Sequence, residues 1–217
     1  MTGGALHSGA RGPAAKAVCV FVHGRGQSPE EMQGHVLARL RAPDVAFVLP
    51  RAESGSWYEA RAIDPLVAQA RAELGQSLDR LGAVIRQARA DHPGVPLLLA
   101  GFSQGGCVVL EYCFAGLPAP DALIALTACR VGVATDDRPA LLPSGLPVYL
   151  TGSDNDPWIP VDAFAAAVQD LGRAGARLRG DLFPGREHEV SAPEIAMLQS
   201  VLDDLAADLP PRMEAAR

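Results

Sequence analysis

Apolar residues fall into short blocks spaced widely enough for a helix to lie between most neighbours. Residues 17–22, 45–49, 97–102, 122–127 and 147–151 are near-continuous apolar runs, the pattern of strands covered on both faces. Residues 177–183, Arg-Leu-Arg-Gly-Asp-Leu-Phe, alternate polar and apolar positions and predict an edge strand with one open face. Between the blocks, Asp64-Pro65 reads as a helix N-cap with proline at the first helical position. It opens a long surface helix to about Ala90, weakened at Gly75 and Gly82. Cys107 to Tyr112 reads as a buried helix that stops at Gly116, with Pro118 just beyond. Ser191-Ala192-Pro193-Glu194 resembles a capping box that starts a last helix running to about Ala207. Strand and helix in alternation predict an α/β chain: a mostly parallel, doubly wound sheet with helices on both faces. The interval from Thr127 to Pro147 is too short for a large helical cap, so the C-terminal edge of the sheet is expected to be open.

Composition narrows the picture. A length of 217 residues with 48% apolar content suits a single domain over residues 17–217. The Gly- and Ala-rich residues 1–16 lack a run of β-formers and are expected to make a short edge strand or a loose tail. A net charge of −6 without any Lys/Arg cluster argues against nucleic acid or an anionic membrane surface as partner. No apolar stretch has the length of a signal peptide core or a membrane span, so stable membrane insertion is not expected and the location is read as cytoplasmic. Cys19, Cys107, Cys113 and Cys129 show no C-x-x-C pairing and are read as buried thiols of a reducing compartment, not as metal ligands. Cys129 falls close to where a site would open, but packing is its expected role.

The chemistry concentrates where the third long apolar run ends. Gly101-Phe102-Ser103-Gln104-Gly105-Gly106 is a G-x-S-x-G match between a strand and a helix, the setting in which a tight turn holds a serine hydroxyl out over the sheet edge. The plain alternative is a glycine-rich turn whose serine only caps the helix. Two later loops weaken that alternative. A nucleophilic serine needs a base and an acid to orient it, and the chain order for this kind of turn is serine, acid, histidine. Asp154 and Asp156 follow the 147–151 strand, His188 follows the 177–183 strand, and all three thus lie in loops expected at the C-terminal edge. His23-Gly24-Arg25-Gly26 leaves the first strand as a glycine-flanked loop whose N–H groups suit a developing oxyanion, with the N–H of Gln104 as a second donor. The His23 ring reads as structural, since His188 is the better-placed base. The Arg25 side chain reads as solvated or locally paired, with attraction of an acidic substrate as the other use. Trp57, Tyr58 and Trp158 are scarce aromatics in loops near the expected cleft, and either line a substrate pocket or pack those loops onto the scaffold.

His23–Glu30, Gly101–Gly106, Asp156-Pro157-Trp158-Ile159-Pro160 and Glu187-His188-Glu189 together resemble the phospholipase/carboxylesterase family of α/β-hydrolases, across residues from about Ala17 to Leu205. Acyl-protein thioesterases and small bacterial carboxylesterases belong to that family. The resemblance implies an α/β-hydrolase fold without a large cap, Ser103 as nucleophile, Asp156 as acid, His188 as base, and the amides of Arg25 and Gln104 as the oxyanion hole. It implies no cofactor and no metal. Two departures stand out: the acid loop carries Asp154 as well as Asp156, and Arg25 stands where many members have an apolar residue. The expected activity is a carboxylesterase cleaving small to medium acyl esters through an acyl-enzyme. The alternatives are an acyl-protein thioesterase or lysophospholipase on the same residues, and a catalytically silent binding protein. The expected partner is a small ester or thioester substrate, and a homodimer is compatible with the chain.

Overall fold

The computed structural model describes residues 4–213. Residues 1–3 of the expected N-terminal tail or edge strand and 214–217 of the expected 17–217 domain lie outside the described residues. The chain builds strands β1 (Leu6–Gly9), β2 (Ala17–Val22), β3 (Val45–Leu49), β4 (Leu97–Phe102), β5 (Ala122–Leu126), β6 (Pro147–Ser153) and β7 (Arg177–Phe183). Its helices are α1 (Pro29–His35), α2 (Ala68–Asp91), α3 (Gln104–Phe114), α4 (Val161–Arg173) and α5 (Ala192–Ala206). The seven strands form one sheet in the order β1-β3-β2-β4-β5-β6-β7, parallel except for β1, which runs antiparallel to β3.

Strand periodicity sorts the apolar runs into two cores. Val18, Val20 and Val22 of β2 and Leu97 and Leu99 of β4 point to the face covered by α2, α3 and α4. Ala17, Cys19 and Phe21, with Leu98, Ala100 and Phe102, point to the other face, where α1 and α5 pack. Both faces are therefore dry, which is why these strands read as unbroken apolar runs. In β7, at the edge of the sheet, every residue is exposed or half-buried; strict alternation fails at Leu178 and Arg179, both half-buried, and Leu182 is exposed.

Parallel order brings the C-terminal ends of β2, β4, β5, β6 and β7 to one edge. Two glycines make the turn after β4 sterically feasible: a Cβ on Gly101 would lie 2.4 Å from the Gly105 carbonyl oxygen, and one on Gly105 would lie 2.2 Å from the Val22 carbonyl oxygen. Between them Ser103 is held at φ 55°, ψ −123°, a conformation non-glycine residues rarely adopt.

Two local expectations need correction or completion. The long helix begins at Ala68 with Val67 as its cap residue, not at Asp64-Pro65. The Asp64 carboxylate instead accepts from the N–H and guanidinium of Arg61, and the Leu66 N–H is taken by Asp136. These bonds hold residues 61–66 out of the helix. Within the N-terminal segment, Leu6–Gly9 pairs with β3 through its backbone despite its weak β-propensity. Among the described residues, 127–146 contain no helix or strand, and no helix is long and apolar enough to cross a membrane.

Candidate active site

Ser103 sits at the turn between β4 and α3, and His188 and Asp156 reach it from the loops after β7 and β6. The Ser103 hydroxyl lies 2.7 Å from His188 Nε2, and His188 Nδ1 lies 2.7 Å from Asp156 Oδ2. This network fixes the ring's tautomer: Nδ1–H donates to the carboxylate and Nε2 is left to accept the serine proton. Asp156 is held in turn by the N–H groups of Trp158 and Ile159, which donate to its Oδ1 at 2.8 and 2.9 Å. Burial raises the carboxyl pKa, but the hydrogen bonds from His188 and from these two amides outweigh it, so the group sits below the ordinary aspartate value. The Asp156 side chain is fully covered, whereas His188 remains one-fifth exposed. Phe102 packs against the imidazole, ring centroids 5.2 Å apart. Asp154 is elsewhere: its carboxylate accepts from the Gly185 N–H at 2.6 Å and braces the loop ahead of His188.

The loop after β2 lies beside this serine. His23 is buried and serves the backbone, its Nδ1–H donating to the Gly24 carbonyl and its Nε2 accepting from the Ala52 N–H. Burial lowers its pKa, which keeps the ring neutral. Among the described residues, the N–H groups of Arg25 and Gln104 have no protein partner. The Arg25 guanidinium is spent locally. It donates to the carbonyls of Tyr58 and Glu59 at 3.0 Å each and to that of Ala60. The Gln104 side chain grips the same loop, its Nε2 donating to the Tyr58 carbonyl at 2.6 Å and its Oε1 accepting from the Trp57 N–H at 3.0 Å.

A cleft of about 340 Å³ opens at Ser103, with Ala62, Phe102, Cys107 and Ile159 among its apolar walls and Arg25, Gln27 and Arg61 among its polar ones. Tyr58 and Trp158 border it, the first buried and the second exposed. Trp57 does not. Its indole N–H donates to the His23 carbonyl at 2.8 Å and its ring packs on His23, so it fastens the loop to the scaffold. All four cysteines are unpaired and buried, and Cys107 alone of them borders the cleft.

Sequence reading missed the buried polar network under the His188 loop. Arg186 donates to Thr127 Oγ1 at 2.9 Å and lies 3.6 Å from the fully buried carboxylate of Glu194. Thr127 N–H donates to Thr151 Oγ1, and Thr151 donates to Glu194. The Ser191 N–H and hydroxyl both donate to the other Glu194 oxygen at 2.7 Å. Glu194 was legible only as a capping-box acid. Its wider role ties the ends of β5 and β6 and the start of α5 to the chain two residues before His188.

A serine at a strained strand-to-helix turn, hydrogen-bonded to a histidine that meets a buried carboxylate, on a mostly parallel sheet between helices, defines the α/β-hydrolase class. Within that class the chain belongs to the phospholipase/carboxylesterase family, whose model matches residues 9–206. This is a family of carboxylic ester hydrolases. The solved phospholipase/carboxylesterase from Dyadobacter fermentans is 28% identical, with 92% of this chain and 95% of that one covered and a TM-score of 0.80. Esterase PE8 is 26% identical, covering 93% of this chain and 98% of its own, with a TM-score of 0.75. Acyl-protein thioesterase 2 of Zea mays shares the fold at 17% identity, 93% and 99% coverage and a TM-score of 0.73. A search of curated proteins gave no match.

Proposed function

We propose that this chain is a serine carboxylesterase that cleaves small to medium acyl esters through an acyl-enzyme. The observation that carries the reading is the pair of 2.7 Å contacts linking Ser103 Oγ, His188 and Asp156. In this reading His188 Nε2 takes the serine proton as Oγ attacks the ester carbonyl, and Asp156 stabilises the imidazolium that results. The amides of Arg25 and Gln104 bind the oxyanion, each such donor contributing about 10² to 10³ in rate. Collapse expels the alcohol with the proton from His188, and water repeats the sequence on the acylated serine. Four buried unpaired thiols are in keeping with a cytoplasmic enzyme. A fluorophosphonate is expected to modify Ser103 and no other residue, read by peptide mass spectrometry. An adduct at a different serine would remove the assignment.

Acyl preference follows from the open cleft. A buried methylene is worth about 0.8 kcal/mol, roughly fourfold in kcat/KM, but only while the walls cover it. Over a series of dissolved esters kcat/KM is therefore expected to rise for the first few carbons and then level off, with no jump on adding detergent micelles. A rise continuing to long chains, or activation above the critical micelle concentration, would favour a lysophospholipase or protein-deacylating enzyme instead.

A further inference from the structure

A second cleft, of about 270 Å³, meets the first at Gln27, Phe102 and His188 and is bordered by His188 but not by Ser103. We propose that it is the leaving-group site, and that the alcohol it takes is a small, uncharged polyol. The inference rests on the reading of Ser103 as nucleophile and His188 as base. That chemistry separates the two halves of an ester: the acyl group stays on Ser103, while the alcohol departs with the proton of His188 Nε2. The acyl half therefore needs a space that opens at the serine, and the alcohol half one that opens at the histidine. The first cleft opens at both Ser103 and His188, whereas the second opens at His188 and not at Ser103, which leaves the second for the half that departs with the histidine's proton.

Their linings differ as the two halves of such an ester would. The second cleft has a floor of Met32 and Val36, but Gln27, His35, Arg39 and Glu189 also border it. Gln27 spends its oxygen on the Gly24 N–H, leaving its amide NH₂ without a partner among the described residues. One Arg39 nitrogen donates to the Val190 carbonyl at 2.8 Å, and its other N–H groups have no partner among the described residues. The His35 ring and the Glu189 carboxylate likewise have none among the described residues, and His35, Arg39 and Glu189 are all exposed at the rim, where water meets them until a ligand enters. Donors and an acceptor thus border one small space, with one positive and one negative side chain that cancel. A hydroxyl both donates and accepts, so a molecule bearing several of them can replace the water on this set, whereas an alkyl alcohol displaces that water without replacing its hydrogen bonds. The balance of charge gives no advantage to an ionic alcohol.

The acyl-enzyme reports on this cleft directly, because an alcohol held there can replace water. Its oxygen attacks the carbonyl carbon of the Ser103 ester while its proton passes to His188 Nε2. The Ser103 Oγ then leaves with that proton, and a new ester is released. With 4-nitrophenyl butanoate as acyl donor, the ratio of new ester to free butanoate is measured in equal concentrations of glycerol, 1-propanol or choline. Glycerol is expected to exceed both others on the order of tenfold, the effect of one or two added hydrogen bonds. Arg39→Ala and His35→Ala are each expected to bring the glycerol-to-propanol ratio toward one. A ratio favouring 1-propanol or choline, or a glycerol preference that survives both substitutions, would overturn the proposal while hydrolysis itself continued. No release of 4-nitrophenol at all would overturn instead the reading of Ser103 on which it rests.

Discussion

Ser103→Ala is expected to lower kcat for ester hydrolysis by about 10⁶-fold, the scale found when a serine hydrolase loses its nucleophile. The substitution deletes one oxygen and leaves the Cβ, so the strained φ of 55° is carried by alanine much as it is by serine. His188 keeps its bond to Asp156, and no apolar contact of either core is touched. The unfolding temperature should therefore stay close to that of the parent protein, which separates lost chemistry from lost structure. Near-parental turnover in the alanine variant would show that another group attacks the ester.

Asp156→Asn is expected to lower kcat by about 10⁴-fold, as the corresponding change does in serine proteases. The asparagine oxygen can still accept from the N–H groups of Trp158 and Ile159, so the loop should keep its shape. Its NH₂ then faces His188 Nδ1, which must become the acceptor. The ring proton moves to Nε2 and the serine loses its base. Asp154→Asn preserves an oxygen for the Gly185 N–H and touches no part of the imidazole, so it should cost less than tenfold by the same assay. The opposite ranking would make Asp154 the acid.

The strands were legible because both faces of the sheet are covered, which makes burial visible as an unbroken apolar run in β2 to β6. The Ser103 turn and the loops of Asp156 and His188 were legible because their order and their places after strands are read from sequence alone. The choice between Asp154 and Asp156 needed a resemblance and then a distance, since both follow the same strand within three residues. The start of α2 was misread because Asp64 and Leu66 are held by Arg61 and by Asp136, the latter 70 residues along the chain, and such bonds outweigh a local capping signal. Arg186 and Glu194 were invisible as a pair because nothing in the spacing of an arginine and a capping-box glutamate says that both are buried. Trp57 and Tyr58 adjoin in sequence yet divide between scaffold and cleft, a distinction of side-chain direction that composition does not carry.

The carbonyl of Tyr58 accepts from the side chains of both Arg25 and Gln104, two residues 79 positions apart that border the same cleft. One oxygen atom thereby serves as a common datum for the loop after β2 and the first residue of α3. A change that moved that oxygen would therefore disturb hydrogen bonds to the loop after β2 and to the start of α3 together.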